Sequence, residues 1–226
     1  MKKLLSPSLM CTDFFNFRRE LDIFEKTGID LLHIDVMDGS FVPNVALGSD
    51  FVKQLRAATK IPLDIHLMTV TPRECLDYFS VQAGDLVSFH YEATDRVSEI
   101  LDEIRARGAK AMLAINPKTP AEVLLPFVEK LDGVLVMTVQ PGFAGQKLME
   151  GAREKVESVR ALLDANGGKE VFLEVDGNIT LPNALLLSAA GADLFVLGTS
   201  GIYRGDMEAN ILDFQHALHE SVATKS

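Results

Sequence analysis

Short, nearly continuous apolar runs alternate along the chain with longer stretches in which apolar residues recur every three or four positions. The short runs are typical of strands buried on both faces in a parallel sheet, and the longer pattern predicts amphipathic helices. Eight strands are predicted, near residues 4–9, 31–37, 63–68, 86–90, 110–115, 134–137, 171–175 and 193–197. A helical stretch follows each of them.

Threonine, proline and glycine mark the expected ends of the helices. The pairs Thr71-Pro72 and Thr119-Pro120 are each followed by a Glu two residues later, which predicts a Thr N-cap with Pro at the first helical position. Four glycines stand just before an apolar run, where a left-handed C-cap of the preceding helix is expected. They are Gly28, Gly84, Gly108 and Gly191.

Eight strand–helix pairs in 226 residues predict an α/β fold, a (β/α)8 TIM barrel. The competing fold, a doubly wound open sheet, usually has fewer strands and a glycine-rich turn after the first one. Residues 7–11 read Pro-Ser-Leu-Met-Cys and form no such turn. Because no linker or change of composition interrupts the chain, residues 1–226 are predicted to be a single domain.

Composition excludes several classes of partner. The apolar fraction of 47% and the charged fraction of 24% are ordinary for a globular protein, and the net charge of −10 argues against nucleic acid and membrane partners. The two cysteines, Cys11 and Cys75, form no disulfide framework or metal motif, so a cytoplasmic location is expected. The first residues lack the apolar segment of a signal peptide, and no stretch is long enough to span a bilayer.

The candidate chemistry lies at the ends of three predicted strands. His33 and Asp35 stand two apart on the second strand and therefore share a face. His66 ends the third strand and Asp176 follows the seventh. In a barrel these strand ends meet at the active-site rim, so two imidazoles and two carboxylates are predicted to converge as a divalent-metal site or an acid–base pair.

Each of these residues alone has an ordinary structural explanation. Aspartates at strand ends often cap helices, and a histidine can be buried in a core with its hydrogen bonds made. Four on one rim, all facing inward, make function the better interpretation. Nearby polar residues are assigned supporting places. Asp64 is expected deeper in the barrel, His90 behind the ligands, Asp38 in a turn, and Glu174 facing away from Asp176.

Glycine-rich loops are predicted after strands six, seven and eight, at residues 141–146, 176–178 and 198–201. Loops in these positions commonly bind phosphate through backbone N–H groups, and glycine lets the chain approach the anion closely. Each loop alone could be a mere turn, but three on adjacent strands favour a phosphorylated small molecule. Met37, Met68 and Met137 end strands two, three and six and are expected to form an apolar lining that excludes water.

Over nearly its whole length the sequence resembles the ribulose-phosphate 3-epimerase family, whose barrel is of the ribulose-phosphate-binding type. The matching motifs lie at residues 6–8, 33–44, 64–68, 137–146, 174–177 and 198–200. The resemblance implies that the two His and two Asp bind one divalent ion per subunit. It also implies that Asp35 and Asp176 exchange the proton at C3 of a phosphorylated ketose, and that the protein is a homo-oligomer. The substrate-binding residues would be Ser8, His66, Gly142, Phe143, Ala144, Gly145, Gly177, Asn178, Gly198, Thr199 and Ser200. Two His and two carboxylates accept Fe²⁺, Co²⁺, Mn²⁺ or Zn²⁺, and the sequence does not choose among them.

Several positions depart from the common pentose-phosphate pattern of that family. They lie at residues 9–13, 139–141, 176–178 and 198–201. Several of these departures resemble the D-allulose-6-phosphate 3-epimerase branch. The expected substrate is therefore either D-ribulose 5-phosphate or D-allulose 6-phosphate.

Two alternative functions are disfavoured by the residues present. A related phosphosugar decarboxylase carries the motif Asp-x-Lys-x-x-Asp at a strand end, whereas residues 33–38 contain no lysine. A Schiff-base aldolase needs a lysine nucleophile at the site, and neither Lys60 nor Lys147 is predicted to lie on a strand. A non-catalytic sugar-phosphate-binding barrel is expected to lose a ligand or one Asp, and none is lost. A metal-dependent ketose-phosphate 3-epimerase is the predicted function.

Overall fold

A computed structural model of the protein describes residues 2–223. Strands and helices alternate along the chain, and all eight predicted strands are present within two residues of their expected ends. The strands are β1 (Leu4–Pro7), β2 (Leu32–Asp38), β3 (Val45–Ala46), β4 (Leu63–Met68), β5 (Leu86–His90), β6 (Lys110–Ile115), β7 (Gly133–Met137), β8 (Phe172–Asp176) and β9 (Leu194–Leu197). The α-helices are α1 (Phe17–Thr27), α2 (Ser49–Ala58), α3 (Pro72–Tyr78), α4 (Val97–Ala106), α5 (Ala152–Ala165), α6 (Leu181–Ala190) and α7 (Met207–Ala223). None of the helices in the described part of the chain is long and apolar enough to cross a membrane.

Eight parallel strands form one curled sheet in the order β1-β9-β8-β7-β6-β5-β4-β2, and the short β3 pairs antiparallel with the end of β2. The two outer parallel strands also meet. The Leu31 N–H donates to the Leu5 carbonyl over 3.3 Å, and Ser8 bridges His33 in parallel. The sheet therefore closes, and the predicted TIM-barrel fold is confirmed.

Alternation along β2 and β4 divides the core into two parts. Ile34 and Ile65 are fully buried in the large apolar cluster that the helices share with the sheet. The intervening His33 and His66 face the opposite way, into the barrel. A separate apolar cluster lies inside the barrel and consists of Leu31, Leu86, Met112, Ala114, Leu135, Met137, Phe172, Leu194 and Val196.

The predicted helix ends are confirmed in part. Gly28 and Gly191 are left-handed C-caps, and Thr71 precedes Pro72 at the start of α3, although its side chain makes no capping hydrogen bond. Gly84 is not a C-cap, because α3 already ends at Tyr78.

The segment after β6 is the main departure from the predicted helices. It is a 3-10 helix, Ala121–Lys130, with Pro126 inside it, and its N-cap is Pro120 rather than Thr119. An internal proline removes a backbone donor and clashes with the preceding turn, which disfavours a regular α-helix here. The Thr119 hydroxyl donates to Glu92 instead.

Candidate active site

The four predicted side chains meet at the carboxyl ends of the strands. Register places Asp35 on β2 directly beside His66 on β4, and Asp176 at the end of β8 reaches the same point from farther around the barrel. One ligand atom from each residue lies within 4.8 Å of the others. His33 Nε2 is 3.5 Å from Asp35 Oδ1, and His66 Nδ1 is 3.8 Å from both Asp35 Oδ1 and Asp176 Oδ2.

The two imidazole nitrogens that face this point are buried and make no hydrogen bond within the described residues. They are His33 Nε2 and His66 Nδ1. A buried polar atom without a partner is costly, and ligands about 2.1 Å from a tetrahedral ion lie about 3.4 Å from one another. Spacings of 3.5–4.0 Å between the imidazole nitrogens and carboxylate oxygens therefore fit one divalent ion after a small contraction.

Neighbouring groups hold His33 in this orientation. Its Nδ1 lies 2.6 Å from Asp64 Oδ2, and the Ser6 hydroxyl donates to the same oxygen over 3.0 Å. A carboxylate behind a histidine fixes its ring and leaves the far nitrogen free to bind a metal. The expectation that Asp64 lies deeper and acts through a hydrogen bond is confirmed.

His66 is held from behind by a second chain of groups. Its Nε2 lies 2.9 Å from His90 Nε2, and His90 Nδ1 lies 3.2 Å from Glu92 Oε2. His90 thus stands behind His66, as expected. Glu92 was not predicted, although its position two residues after a strand-end histidine was a usable signal.

The orientation expected for Glu174 was wrong. Glu174 and Asp176 are two apart on β8, so alternation places both inside the barrel. Glu174 is fully buried, and its Oε1 lies 3.5 Å from His33 Nδ1. Burial and the neighbouring Asp64 carboxylate raise the pKa of Glu174 well above its usual value. Its place is beneath the four converging residues rather than outside the barrel.

The carboxylates of Asp35 and Asp176 differ in their electrostatic surroundings. Burial opposes ionisation of Asp35, but the nearby imidazoles of His33 and His66 outweigh it and lower the pKa of that carboxyl. The Ser8 hydroxyl also donates to Asp35 Oδ2 over 2.6 Å. Burial and the negative charge of Asp35 raise the pKa of Asp176 to about 7. Near neutral pH the pair therefore combines one ionised carboxylate with one that is half protonated.

A cavity opens above the carboxylates, and most of the predicted substrate-binding residues line it. The predicted residues in its wall are Ser8, Asp35, Met37, Met68, Met137, Gly142, Phe143, Ala144, Gly145, Asp176, Gly177, Asn178, Gly198, Thr199 and Ser200. The wall also includes residues whose contact was not predicted, Cys11, Val139, Ile179 and Val196 among them. His66, predicted to contact substrate as well, is fully buried and lies behind this wall.

The turn after β8 joins Asp176 to the predicted phosphate loops. Asn178 adopts a positive φ of 53°, a conformation that Asn tolerates better than most residues. Its side chain donates to the Ser200 hydroxyl over 3.2 Å, which ties this turn to the loop after β9. The Thr138 N–H and hydroxyl both donate to the Asp176 carbonyl, so Thr138 holds the backbone beneath the carboxylate with two hydrogen bonds.

Gly177→Ala is expected to destabilise the protein and to displace Asp176. Gly177 has a φ of +122°, and an added Cβ would lie 2.8 Å from the Val139 backbone nitrogen and 2.6 Å from its Cγ2. Strain and overlap together should lower the free energy of unfolding by about 3 kcal/mol. Gly205→Ala is the matched control, since φ is +68° there with open space around it, and should cost about 1 kcal/mol. Urea unfolding measures the free energy of unfolding of both variants. Equal losses would contradict the close approach of Gly177 to Val139.

Comparison with known proteins agrees with this geometry. Residues 4–203 match the Ribulose-phosphate 3 epimerase family. The chain is 37% identical over 211 residues to a ribulose-phosphate 3-epimerase of Bacillus subtilis (strain 168), covering 93% of this chain and 97% of the relative. It is 38% identical over 224 residues to one of Schizosaccharomyces pombe, covering 98% and 96%.

Solved structures show the same fold at low sequence identity. KGPDC from Streptococcus mutans aligns with a TM-score of 0.69 at 10% identity, over 97% of this chain and 99% of that one. Orotidine 5'-phosphate decarboxylase from Pyrococcus horikoshii aligns with a TM-score of 0.67 at 14% identity, over 96% and 99%. At such identities the likeness extends to the barrel alone, whereas the family match and the close relatives extend to the sequence. The chain therefore belongs to the ribulose-phosphate 3-epimerase family and is an isomerase that acts on carbohydrates.

Proposed function

We propose that the protein is a metal-dependent 3-epimerase that inverts C3 of a phosphorylated ketose by proton transfer between Asp35 and Asp176. The observation that carries this proposal is the convergence of two carboxylates, on strands from different parts of the barrel, on one cavity. Inversion needs a base on one side of the carbon and an acid on the other. Asp35 on β2 and Asp176 on β8 reach the cavity from different strands and would supply that pair.

The proposed reaction runs through an enediolate. The C2 carbonyl acidifies the hydrogen on C3, one Asp removes it as a proton, and the other Asp delivers a proton to the opposite face. In the reverse direction the two roles exchange. Met37, Met68 and Met137 line the cavity beside both carboxylates and would keep water from the intermediate.

The metal group of the proposal consists of His33, Asp35, His66 and Asp176. A divalent ion held there would act as a Lewis acid toward the substrate oxygens and stabilise their negative charge. Nitrogen and carboxylate donors together suit Fe²⁺, Co²⁺, Mn²⁺ and Zn²⁺. One such ion per subunit is the proposed cofactor.

The phosphate would lie against the three glycine-containing loops, where backbone N–H groups can bind an anion. No lysine lines the cavity among the described residues, which leaves a Schiff-base aldolase without its nucleophile. A phosphorylated ketose is the proposed partner. The single domain over residues 1–226, the homo-oligomer and the cytoplasmic location stay predictions.

The substrate is proposed to be D-allulose 6-phosphate or D-ribulose 5-phosphate, and a side-by-side assay decides between them. Metal-stripped protein is reloaded with each of the four ions, and turnover is measured on both sugars. Preference for the six-carbon sugar would mean that the departures from the family pattern around Met10, Gln140 and Asn178 change the shape of the substrate pocket. Preference for the five-carbon sugar would make those departures neutral. Absence of turnover on both sugars with every ion would reject the epimerase.

A further inference from the structure

The residues behind His66 form a hydrogen-bonded chain that runs from the buried interior to the partly exposed carboxylate of Glu92. His66 and His90 are both fully buried, and their rings meet edge to edge with centroids 5.0 Å apart and an angle of 29° between the ring planes. Glu92 lies in the short 3-10 turn that follows β5. Its Oε1 accepts from the Asn116 N–H over 2.9 Å and from the Thr119 hydroxyl, while its Oε2 faces His90 Nδ1 at 3.2 Å.

With both imidazoles neutral, one arrangement of protons satisfies this chain. A neutral imidazole carries a single N–H, and a carboxylate only accepts hydrogen bonds. His90 must therefore carry its proton on Nδ1, toward Glu92, because an unprotonated Nδ1 would face the carboxylate lone pairs. His90 Nε2 then accepts, so the hydrogen bond to His66 is donated by His66 Nε2. The proton of His66 is held on the side away from the cavity, and Nδ1 keeps its lone pair.

We infer that Glu92, acting through His90, fixes His66 in the tautomer whose Nδ1 can bind a metal ion. Glu92 is a positioning residue in this inference, since it touches neither the proposed metal group nor the carboxylates that line the cavity. The inference rests on the proposed metal site for its purpose, but the tautomer is a property of the protein alone.

Glu92→Gln tests the direction in which the hydrogen bonds run from His66 to residue 92, and it leaves the size and shape of that side chain almost unchanged. The Gln oxygen would keep the position that accepts from Asn116 and Thr119, because an NH₂ there would face two donors. The NH₂ would then face His90 Nδ1 and donate to it. His90 would carry its proton on Nε2, His66 would accept, and the His66 proton would move to Nδ1, where it blocks the metal.

The experiment measures the tautomer and the metal affinity separately. In metal-free protein, ¹⁵N NMR of the His66 ring should show the proton on Nε2 in the wild type and on Nδ1 in Glu92→Gln. In a competitive titration with Zn²⁺, the variant should bind about 10- to 100-fold more weakly, the usual range for residues behind a metal ligand. Two controls should stay within about twofold of the wild type: Glu99→Gln on the exposed side of α4, and Thr119→Val, which removes one donor to Glu92 without reversing the chain.

A wild-type His66 protonated on Nδ1 would overturn the inference, and so would a Glu92→Gln variant whose His66 tautomer is unchanged. The wild-type spectrum tests the inference even where the variant fails to fold. If the wild type bound no Zn²⁺, the proposed metal site would fail, whereas the NMR result would still decide the tautomer. The two failures are therefore distinguishable.

Discussion

Asp35→Asn and Asp176→Asn are each expected to lower kcat for epimerisation by about 10²- to 10⁴-fold, the usual contribution of a positioned acid or base. An amide keeps the size of the carboxyl but cannot accept the C3 proton. The two side chains lie on one cavity, at the ends of strands from different parts of the barrel, so neither is placed to replace the other. Steady-state kinetics on each epimer, with circular dichroism to verify folding, checks the prediction.

Exchange with solvent separates the two roles. Each variant keeps one Asp and should still exchange the C3 hydrogen of one epimer in D₂O, a different epimer for each variant, without forming the other. Asp164→Asn on the exposed face of α5 is the matched control and should be unchanged. Metal content is measured in parallel, because both residues also belong to the proposed metal group. Near-normal epimerisation by both variants would contradict the assignment.

Removing the metal is expected to lower turnover by about 10³-fold or more, because a Lewis acid contributes several kcal/mol to stabilising the developing charge. Readdition of Fe²⁺, Co²⁺, Mn²⁺ or Zn²⁺ should restore it. Mg²⁺ is the control ion and should restore little, since it prefers oxygen ligands and two of the four donors are imidazoles. Full activity of the stripped protein would reject the metal proposal.

The affinity of the stripped protein for metal should fall as pH falls, and calorimetry in buffers of different ionisation enthalpy should show protons released on binding. Ligands must be deprotonated to bind. Asp176, with a pKa of about 7, holds a proton below that pH, so its competition alone lowers the affinity about tenfold per unit between pH 7 and pH 5. Burial lowers the pKa of His33, but the Asp64 and Asp35 carboxylates outweigh it and raise that pKa well above its usual value. A second proton should therefore make the fall steeper. An affinity that did not change with pH would contradict the prediction that Asp176 and His33 are protonated in the metal-free protein.

Much of the barrel and of the candidate site was predictable because the signal is local. Continuous apolar runs located eight strands, and glycines such as Gly28 and Gly191 located helix ends, since burial on both faces and left-handed caps depend on near neighbours. Alternation alone placed His33 and Asp35 on one face. The expectation for Glu174 failed because the same rule was misapplied, since Glu174 and Asp176 stand two apart and share a face.

By itself the sequence determined the strands, the approximate helix ends and the identity of the four side chains at the rim. The tertiary structure decided which neighbouring residues hold those four side chains in position. The support of His33 joins residues 31 positions apart, and the support of His66 joins residues 24 positions apart and ends at Glu92, whose partners Asn116 and Thr119 come from the next strand end. No local pattern encodes such pairs, because the shift between neighbouring strands and the closure of the barrel set which residues meet. Those contacts determine which nitrogen of each histidine faces the proposed metal site.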